Sequence, residues 1–352
     1  MLVVAGEEYR GDGLDHTVPV LRFSGLWSSQ TATIVHALQS HSVDLVNLQY
    51  SPPMYTTRFK FAWQQIASHF VSTVSFHTLW GGQKLNHLMA LRLLHGADGI
   101  IATNSEIMYL VQKYTPFFLK KVYGIPIGAN IEPTSGRCDA GAIATKYALP
   151  PDAVVLAYFG MAYPGKGMQL LFEAIRILVD AYQRDFRLLI IGGGMSDDAA
   201  YRDENKQLMA KLDITGKVMW TGQIPAPEVS ELLSRSGMVI LPFDAGVSDR
   251  RGSLLAALAH RKAVVTTAPT IPVPLFKNGA NMLWPLCPGV DAFAAAILRV
   301  LRDDDLRRQL ESGAADLARH FTWSHIANQT QACFREVIAK TRGAKQQSVR
   351  PR

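Results

Sequence analysis

Two glycine-containing turns, each placed between an apolar run and a helical segment, constrain the fold of this chain most strongly. The first turn, FGMAYPGKG over Phe159–Gly167, follows the run VVLAYF. The second lies in the stretch Asp244–Thr267, DAGVSDRRGSLLAALAHRKAVVTT, and follows MVILP. Short apolar runs of this kind predict buried strands, and the apolar spacing after each turn predicts a helix. Such a turn presents backbone N–H groups at the positive end of the helix, so each is a candidate anion site.

Basic residues in both turns favour the same interpretation. Lys166 lies in the first turn, and Arg250 and Arg251 lie in the second. Two such turns in one α/β domain favour a phosphate-bearing ligand at the carboxyl ends of the strands. Neither turn is a P-loop, since no Ser or Thr follows Lys166, and the first strand of neither half carries the G-x-G-x-x-G fingerprint. The sequence therefore disfavours a magnesium-dependent NTPase and a simple dinucleotide enzyme.

Patterns for metal binding and covalent catalysis are missing from the sequence. The ten histidines show no metal-ligand spacing, neither turn has an Asp-x-Asp-type carboxylate cluster, and no G-x-S-x-G motif occurs. Three cysteines, Cys138, Cys287 and Cys333, are too few and too scattered for a disulfide framework or a zinc site. We therefore expect no metal, no cofactor and a reducing, cytoplasmic setting.

The net charge of +7 permits anionic partners, among them nucleotides, phospholipid head groups and nucleic acid. Part of the excess lies in residues 340–352, where five basic residues stand without an acid. We expect this tail to be a solvated, disordered end rather than a membrane anchor. Peripheral membrane contact stays open as a prediction, and no nucleic-acid partner is expected. No apolar run of about eighteen residues predicts a membrane-spanning helix, and the start, MLVVAGEEYRGDG, lacks the features of a signal peptide.

Apolar runs and helical segments alternate along both halves of the chain, whose 352 residues suffice for two domains. In the first half, LVVA, VPVLRF, LVNLQ, VSTVSF and GIIAT predict strands. In the second, VVLAYF, RLLII, KVMWTG, MVILP and AVVTT do so. The alternation predicts parallel, doubly wound sheets. We expect two Rossmann-like domains, 1–135 and 136–320, facing a cleft that holds the ligand. A C-terminal helix, 321–341, and the basic tail, 342–352, complete this division.

A series of motifs in this order resembles the retaining GT-B glycosyltransferases of the family 4 or group 1 type. GMAYPGKGMQLLFEAI resembles the family's G-R-x-x-x-x-K-G turn, LLIIGGG its strand ending in G-x-G, and RGSLLAALAHRKAVVTT its G-x-x-L-L-E-A-M-A-x-G-x-P-V-V segment. FTWSHIANQTQ is similar to its closing F-S-W helix. In the first half, VSFHTLWGG, ADGIIATNSEIMYLV and IPIGANI resemble further family segments. Nearly the whole chain is covered.

The resemblance implies the GT-B fold and a reaction. The enzyme would move a sugar from a nucleotide-diphosphate sugar to a glycan or lipid-linked acceptor, with retention and without a divalent metal. The setting implied is bacterial-type polysaccharide or glycoconjugate synthesis. One alternative is a catalytically degenerate GT-B scaffold that acts as a nucleotide-sugar-binding protein or as a partner protein. A nucleotide-sugar epimerase of the same fold is a weaker third interpretation.

Three departures from the family pattern bear on activity. Ser248 and Ala256 stand where the family has two glutamates, one near the donor sugar and one on the nucleotide ribose. Met161 stands where it has an arginine. The chain also begins at what resembles the family's second strand, so that the first strand and its Gly-rich loop are expected to be missing.

The resemblance also implies roles for individual residues. His77 would contact the donor sugar or its leaving oxygen, and Lys166 the donor pyrophosphate; these two are the predicted catalytic residues. The predicted donor-binding residues are Gly160, Lys166, Gly222, Ser248, Arg250, Arg251, Ser253 and Leu254.

Each role has a purely structural alternative. Lys166 could be an exposed turn residue, and His77 a buried histidine bonded to backbone. Arg250 and Arg251 could pair with Asp244 or Asp249, and Ser253 could simply cap the helix that it begins. Asn104 and Ser105 are most simply N-cap residues, and Trp323 and Phe334 are expected to pack in the core.

Overall fold

The computed structural model describes residues 3–6, 20–23, 27–51, 57–79, 84–134, 145–147, 149–150, 152–192 and 199–348. The chain forms two compact units. The first unit comprises Met1–Ile125 together with Asn328–Arg352, and the second comprises Pro126–Ala327. The chain therefore leaves the first unit after Ile125 and returns to it within its last helix.

The first unit contains a parallel four-stranded sheet in the order β3-β4-β5-β6. A separate parallel pair is formed by β1 and β2. Its elements are β1 (Val3–Gly6), β2 (Val20–Phe23), α1 (Trp27–Ser40), β3 (Leu45–Tyr50), α2 (Thr57–His69), β4 (Val71–Phe76), α3 (Lys84–Gly96), β5 (Gly99–Ala102), α4 (Ser105–Tyr114), a 3₁₀ helix (Pro116–Lys121) and β6 (Val122–Gly124). The five predicted strands are confirmed, whereas β6, only three residues long, was not predicted from its sequence.

The central strand β4 is buried along its whole length although its sequence, VSTVSF, is half polar. Its hydroxyl groups are satisfied by neighbouring side chains. Ser72 donates from both its backbone N–H and its hydroxyl to the Asp98 carboxylate, and the Thr73 and Ser75 hydroxyls donate to Asn47 Oδ1. Buried polar groups that find such partners avoid the cost of desolvation.

The second unit contains a parallel five-stranded sheet in the order β11-β10-β7-β8-β9. All five strands predicted for this half are confirmed. The elements from here to the end of the chain are β7 (Val154–Phe159), α5 (Met168–Ala181), β8 (Phe186–Ile191), α6 (Ala199–Lys211), a 3₁₀ turn (Thr215–Lys217), β9 (Val218–Trp220), α7 (Ala226–Arg235), β10 (Met238–Leu241), α8 (Gly252–Ala259), β11 (Val264–Thr266), α9 (Val290–Arg302), α10 (Asp304–Ala318), a 3₁₀ turn (Arg319–Phe321) and α11 (Trp323–Ser348).

The strand order of the second unit places its two predicted turns next to each other. The chain runs from β7 outward through β8 and β9, then returns to the other side of β7 with β10 and β11. β7 and β10 are neighbours, so the turns that follow them leave the same edge of the sheet side by side. This reversal is the topological switch point at which open α/β sheets bind their ligands.

The last helix, α11, corrects two sequence predictions. It continues to Ser348, so the basic tail is helical over 342–348 rather than disordered from 342. Arg342 in this segment pairs with Asp44 of the first unit at 2.6 Å. The core-facing residues are not the predicted aromatic ones but Ile326, Cys333 and Val337, spaced as one face of a helix. Trp323 is half exposed and Phe334 only partly buried.

Candidate functional site

Three glycines, Gly160, Gly192 and Gly222, form most of the floor of the site at the ends of β7, β8 and β9. The Gly160 N–H donates to Ile191 O at 2.9 Å, and the Gly192 N–H donates to the Thr221 hydroxyl at 3.2 Å. Gly192 also bridges to Gly222. A Cβ atom on Gly192 would lie 3.1 Å from Gly160 O, so the strand ends approach closely because no side chain separates them. Gly222 faces open space.

The first turn closes against the end of β10 through Gly167. This residue has φ of +69°, and a Cβ atom here would lie 1.6 Å from Pro242 O. Glycine is required both by the left-handed backbone and by this close approach. Gly167 is also the N-cap of α5 and provides no capping side chain, so the N–H groups in the first turn of α5 keep their hydrogen-bonding capacity.

The second turn leads into α8 in the same way. Arg251 is the N-cap and makes no side-chain cap, and the first helical bond runs from Leu255 N–H to Arg251 O. The N–H groups of Gly252, Ser253 and Leu254 therefore have no acceptor within the helix. The prediction that Ser253 begins and caps the helix is wrong, because the helix starts one residue earlier and Ser253 lies inside its first turn.

The two turns meet at Gly160 and Ser253. A Cβ atom on Gly160 would lie 3.9 Å from the Ser253 Cβ. The start of α8 therefore lies against the end of β7, at the glycine floor. The predicted donor-binding residues Gly160, Ser253 and Leu254 lie together in this region, Leu254 with its side chain fully buried and only its backbone available.

Two of the predicted basic residues converge on one buried aromatic ring, Phe243. The Lys166 ammonium lies 5.8 Å from the centre of this ring and the Arg251 guanidinium carbon lies 4.7 Å from it. Lys166 also lies 4.8 Å from the centre of the Tyr163 ring. Cations at such distances are attracted to the face of an aromatic ring. The sequence analysis missed Phe243, although an aromatic residue two positions after β10 was visible.

The other basic residue of the second turn differs in its surroundings. Arg250 is exposed, whereas Arg251 is partly buried. The Arg251 charge also acts on Tyr158, a fully buried neighbour whose hydroxyl donates to Met161 O at 3.2 Å. Burial raises the pKa of Tyr158 far above its ordinary value, and the positive charge of Arg251 opposes part of this rise. Tyr158 therefore stays a neutral hydrogen-bond donor.

Hydroxyl groups and close backbone contacts hold the 242–251 loop against the segment that follows β11. The Thr267 hydroxyl donates to Phe243 O at 2.6 Å, and the Thr270 hydroxyl donates to Ala245 O at 3.1 Å. Gly246 lies so close to the segment after β11 that a Cβ atom would be 2.3 Å from Ala268 O. These backbone and hydroxyl contacts therefore contribute to the geometry of the loop.

The two positions at which the family carries glutamates are both shielded. The Ser248 hydroxyl oxygen is buried and has no hydrogen-bond partner among the described residues, while its carbonyl accepts from Arg251 N–H at 3.2 Å. Ala256 is fully buried inside α8. Its carbonyl accepts from His260 twice, from the backbone N–H at 3.1 Å and from Nδ1 at 2.7 Å. Neither position presents a carboxylate.

The predicted catalytic residue His77 belongs to the first unit, at the carboxyl end of β4. Its Nε2 lies 2.8 Å from Gln49 Oε1, an oxygen that can only accept, so this nitrogen carries the proton. Its backbone is held by an N–H bond to Tyr50 O and by the Asn104 amide on its carbonyl. Burial lowers the pKa of His77, which keeps the ring neutral at neutral pH.

Asn104 is confirmed as the N-cap of α4. Its side-chain oxygen accepts from the Ile107 N–H at 3.1 Å, and Ser105 is the first helical residue.

Across the parts of the chain that the structure describes, no three His, Cys, Asp or Glu side chains lie together as a metal site. Among the same residues, no helix is long and apolar enough to cross a membrane.

Comparison with solved structures shows the fold. The glycosyltransferase from Rickettsia africae shares the fold with a TM-score of 0.73 and 16% identity, over 91% of this chain and 85% of that one. Anabaena Alr3699/HepE, solved with UDP and glucose, gives 0.68 and 16% over 94% and 87%. The protein has the GT-B fold, with two Rossmann-like α/β units, as the sequence predicted.

The family Glycosyl transferases group 1 matches residues 140–316, and the chain belongs to this family. Its relatives include the D-inositol 3-phosphate glycosyltransferases of a Nocardioides species, 26% identical over 267 residues, and of Corynebacterium glutamicum, 22% identical over 256 residues. These matches cover 72% and 70% of this chain but 57% and 59% of the relatives. The chain thus spans a little over half the length of the curated relatives that it matches.

Proposed function

We propose that the second unit binds a nucleotide-diphosphate sugar and that the protein transfers the sugar to an acceptor with retention. The observation that carries the proposal is the arrangement at the switch point. Two helices begin there without capping side chains, and Lys166 and Arg251 converge there on Phe243. A diphosphate carries the charge that helix N-termini and cations stabilise. Family membership and the UDP-bound state of Anabaena HepE support the same ligand class.

The proposed chemistry places stabilisation on the departing nucleotide diphosphate. Negative charge grows on it as the bond to the sugar breaks. Fixed N–H groups and cations that are already oriented stabilise this charge without reorganising. Lys166 and the N-terminus of α8 would act in this way, so that the reaction needs no divalent metal. His77 is neutral, and its Nε2–H donates a hydrogen bond to Gln49 Oε1. Its Nδ1 would then accept a hydrogen bond from a sugar hydroxyl.

A second function, binding without turnover, is favoured by the two shielded positions. Ser248 has only a short hydroxyl and Ala256 none, so two groups that family members use on the donor are missing. A scaffold of this kind would act as a nucleotide-sugar-binding protein or as a partner protein. The first proposal, sugar transfer, includes four further expectations. They are a glycan or lipid-linked acceptor, a role in polysaccharide or glycoconjugate synthesis, membrane contact and a cytoplasmic setting.

A thermal-shift panel of UDP, GDP, ADP and their sugars tests ligand binding first. We expect one nucleotide series to raise the melting temperature, since a ligand that binds only the folded state stabilises it. If no compound does so, the proposed donor site is wrong. With a ligand identified, release of the free nucleotide diphosphate in the presence of glycan or lipid-linked acceptors separates transfer from binding alone. Activity that disappears with a chelator and returns with manganese would contradict metal independence.

A further inference from the structure

Two large side chains are exposed next to each other in the turn that follows β7 in the second unit. Met161 is 59% exposed and Tyr163 is 38% exposed, whereas Ala162 between them is fully buried. Because Ala162 packs into the core, both of its neighbours point away from the core. Pockets that bind small molecules are lined mainly by apolar and aromatic side chains, with a few polar groups among them. We call Met161 and Tyr163 the Met–Tyr pair.

The backbone that carries the Met–Tyr pair is held by several contacts. The hydroxyl of the fully buried Tyr158 donates to Met161 O at 3.2 Å, and the Lys166 N–H donates to Tyr163 O at 3.2 Å. The turn ends at Gly167, whose approach to the end of β10 leaves no room for a side chain. The backbone of the turn is therefore fixed by contacts that need no ligand.

The Tyr163 ring lies beside the cation that would bind the diphosphate. The Lys166 ammonium is 4.8 Å from the centre of this ring. A phosphate oxygen that accepts from the ammonium would lie about 2.8 Å from it. In the proposed reaction Lys166 acts on the phosphate that leaves the sugar, and the sugar is attached to that phosphate through one oxygen. The nucleoside is one phosphate further away, so the group within reach of Tyr163 is the donor sugar.

We infer that Tyr163 stacks on the donor sugar and that Met161 extends this apolar surface, an inference that rests on the proposed function. One side of a hexopyranose ring presents C–H groups, which carry a weak positive charge, and the face of an aromatic ring is weakly negative. Met161 stands where the family has an arginine, so the surface belongs to this chain rather than to the family pattern. The Met–Tyr pair therefore recognises the sugar part of the donor and not its nucleotide part.

Titration calorimetry with paired ligands tests this inference. The pairs are UDP with UDP-glucose, GDP with GDP-mannose, and ADP with ADP-glucose, and the pair that the unchanged protein binds is used for the variants. Tyr163→Ala should weaken binding of the nucleotide sugar by about threefold to tenfold, but binding of the nucleotide diphosphate by less than about twofold. Tyr163→Phe keeps the ring and should keep both affinities. Met161→Ala should weaken binding of the nucleotide sugar alone, by about twofold.

Tyr109→Ala is the matched control. The Tyr109 ring is 39% exposed and its centre lies 5.5 Å from the Lys113 ammonium, but it belongs to α4 of the first unit. This variant should bind both ligands as the unchanged protein does, and melting temperatures should confirm that every variant is folded.

The possible outcomes separate this inference from the proposed function. If Tyr163 only positions Lys166 or stacks on the base, Tyr163→Ala will weaken binding of both ligands by the same factor. That result overturns the inference and leaves the proposed function intact, as does a variant that binds both ligands normally. If the unchanged protein binds none of the three pairs, the proposed function is wrong and the inference falls with it.

Discussion

Helices that follow strand ends begin differently in the two units. In the first unit, α4 follows β5 and starts with Asn104, whose side chain accepts from Ile107 N–H. In the second unit, α5 and α8 follow β7 and β10 and start with Gly167 and Arg251, which cap nothing with their side chains. The first unit thus satisfies the start of its own helix. The second leaves two helix starts able to bind a ligand, and both lie at the switch point of its sheet.

The polar side chains at these strand ends show the same contrast. His77 in the first unit is bonded to Gln49, and burial favours its neutral form. Lys166 in the second unit lies against the Tyr163 and Phe243 rings, and no described carboxylate lies within ion-pairing distance of it. An aromatic ring positions a cation without cancelling its charge. The helix starts and the cation of the second unit are therefore better candidates for anion binding than the helix start and the histidine of the first unit. Their hydrogen-bonding capacity and charge are not used up by the protein's own side chains.

The largest expected effect concerns the close approach at Gly167. Gly167→Ala places a Cβ atom on Pro242 O as well as straining the backbone, and we expect a loss of about 3 kcal/mol or more in unfolding free energy. Gly222 has the same φ of +69° but faces open space. Gly222→Ala should therefore cost only the strain, about 1–2 kcal/mol. Equal losses in denaturant unfolding would show that the approach to β10 is not tight.

The next largest effect is expected on nucleotide binding when Lys166, which has no described carboxylate within ion-pairing distance, is replaced. Lys166→Ala should weaken nucleotide-diphosphate binding by about 1.5–3 kcal/mol, or about tenfold to a hundredfold. Titration calorimetry measures this directly. The matched control is Lys211→Ala, in the last turn of α6 and thus at the opposite edge of the sheet. An unchanged affinity for Lys166→Ala would remove this residue from the site.

The two arginines sharpen the comparison within one turn. Arg251→Lys should weaken nucleotide binding by about 1 kcal/mol, because an ammonium cannot reproduce a bidentate contact of a guanidinium. Arg250→Lys should have less effect, since Arg250 is exposed and Arg251 is the one positioned by Phe243. Melting temperatures should hardly change, because a lysine keeps the positive charge and the Thr267 and Thr270 hydroxyl bonds to the loop remain. Alanine variants that melt earlier but bind normally would instead assign the arginines to loop stability.

A smaller effect is expected in the first unit. Asn104→Ala removes the cap of α4 and should cost about 1 kcal/mol of unfolding free energy. Asn104→Asp keeps the accepting oxygen while losing the amide bond to His77 O, so it should retain most of this stability. Chemical denaturation of both variants separates the two contacts. If the alanine variant is as stable as the unchanged protein, the cap contributes nothing.

The smallest effect is a pH dependence in which the two units can be compared directly. Burial lowers the pKa of both His77 and His260, so each ring is neutral when folded. Below the ordinary histidine pKa the unfolded chain binds more protons, and stability should therefore fall as the pH decreases below about 6.5. His77→Gln should flatten this fall more than His260→Gln. The reason is that burial acts on His77 without an opposing contact, whereas the bond from His260 Nδ1 to Ala256 O raises the pKa of His260 and opposes part of the effect of burial.

Much of the fold followed from local pattern. Apolar runs of four to six residues mark the strands of both sheets, and these were predicted correctly except for β6. β6 escaped because Val122–Gly124 ends in glycine and lies just before Pro126, which disfavours a strand. Its pairing with β5 is decided by contacts distant in the sequence. The end of α11 was not predicted correctly for a similar reason. The acid that pairs with Arg342 is Asp44, which is distant in the sequence.

The sequence alone determined the two turns, their glycines and their basic residues, because turn chemistry and charge depend on residue type. It also determined the strand pattern and the family resemblance. Only the tertiary structure decided which residues meet. The strand order placed β10 beside β7, so that Lys166 and Arg251, far apart in sequence, share Phe243. The exact start of α8 and the burial of Ala256 were decided in the same way. Packing fixes such distances through contacts that no local pattern contains.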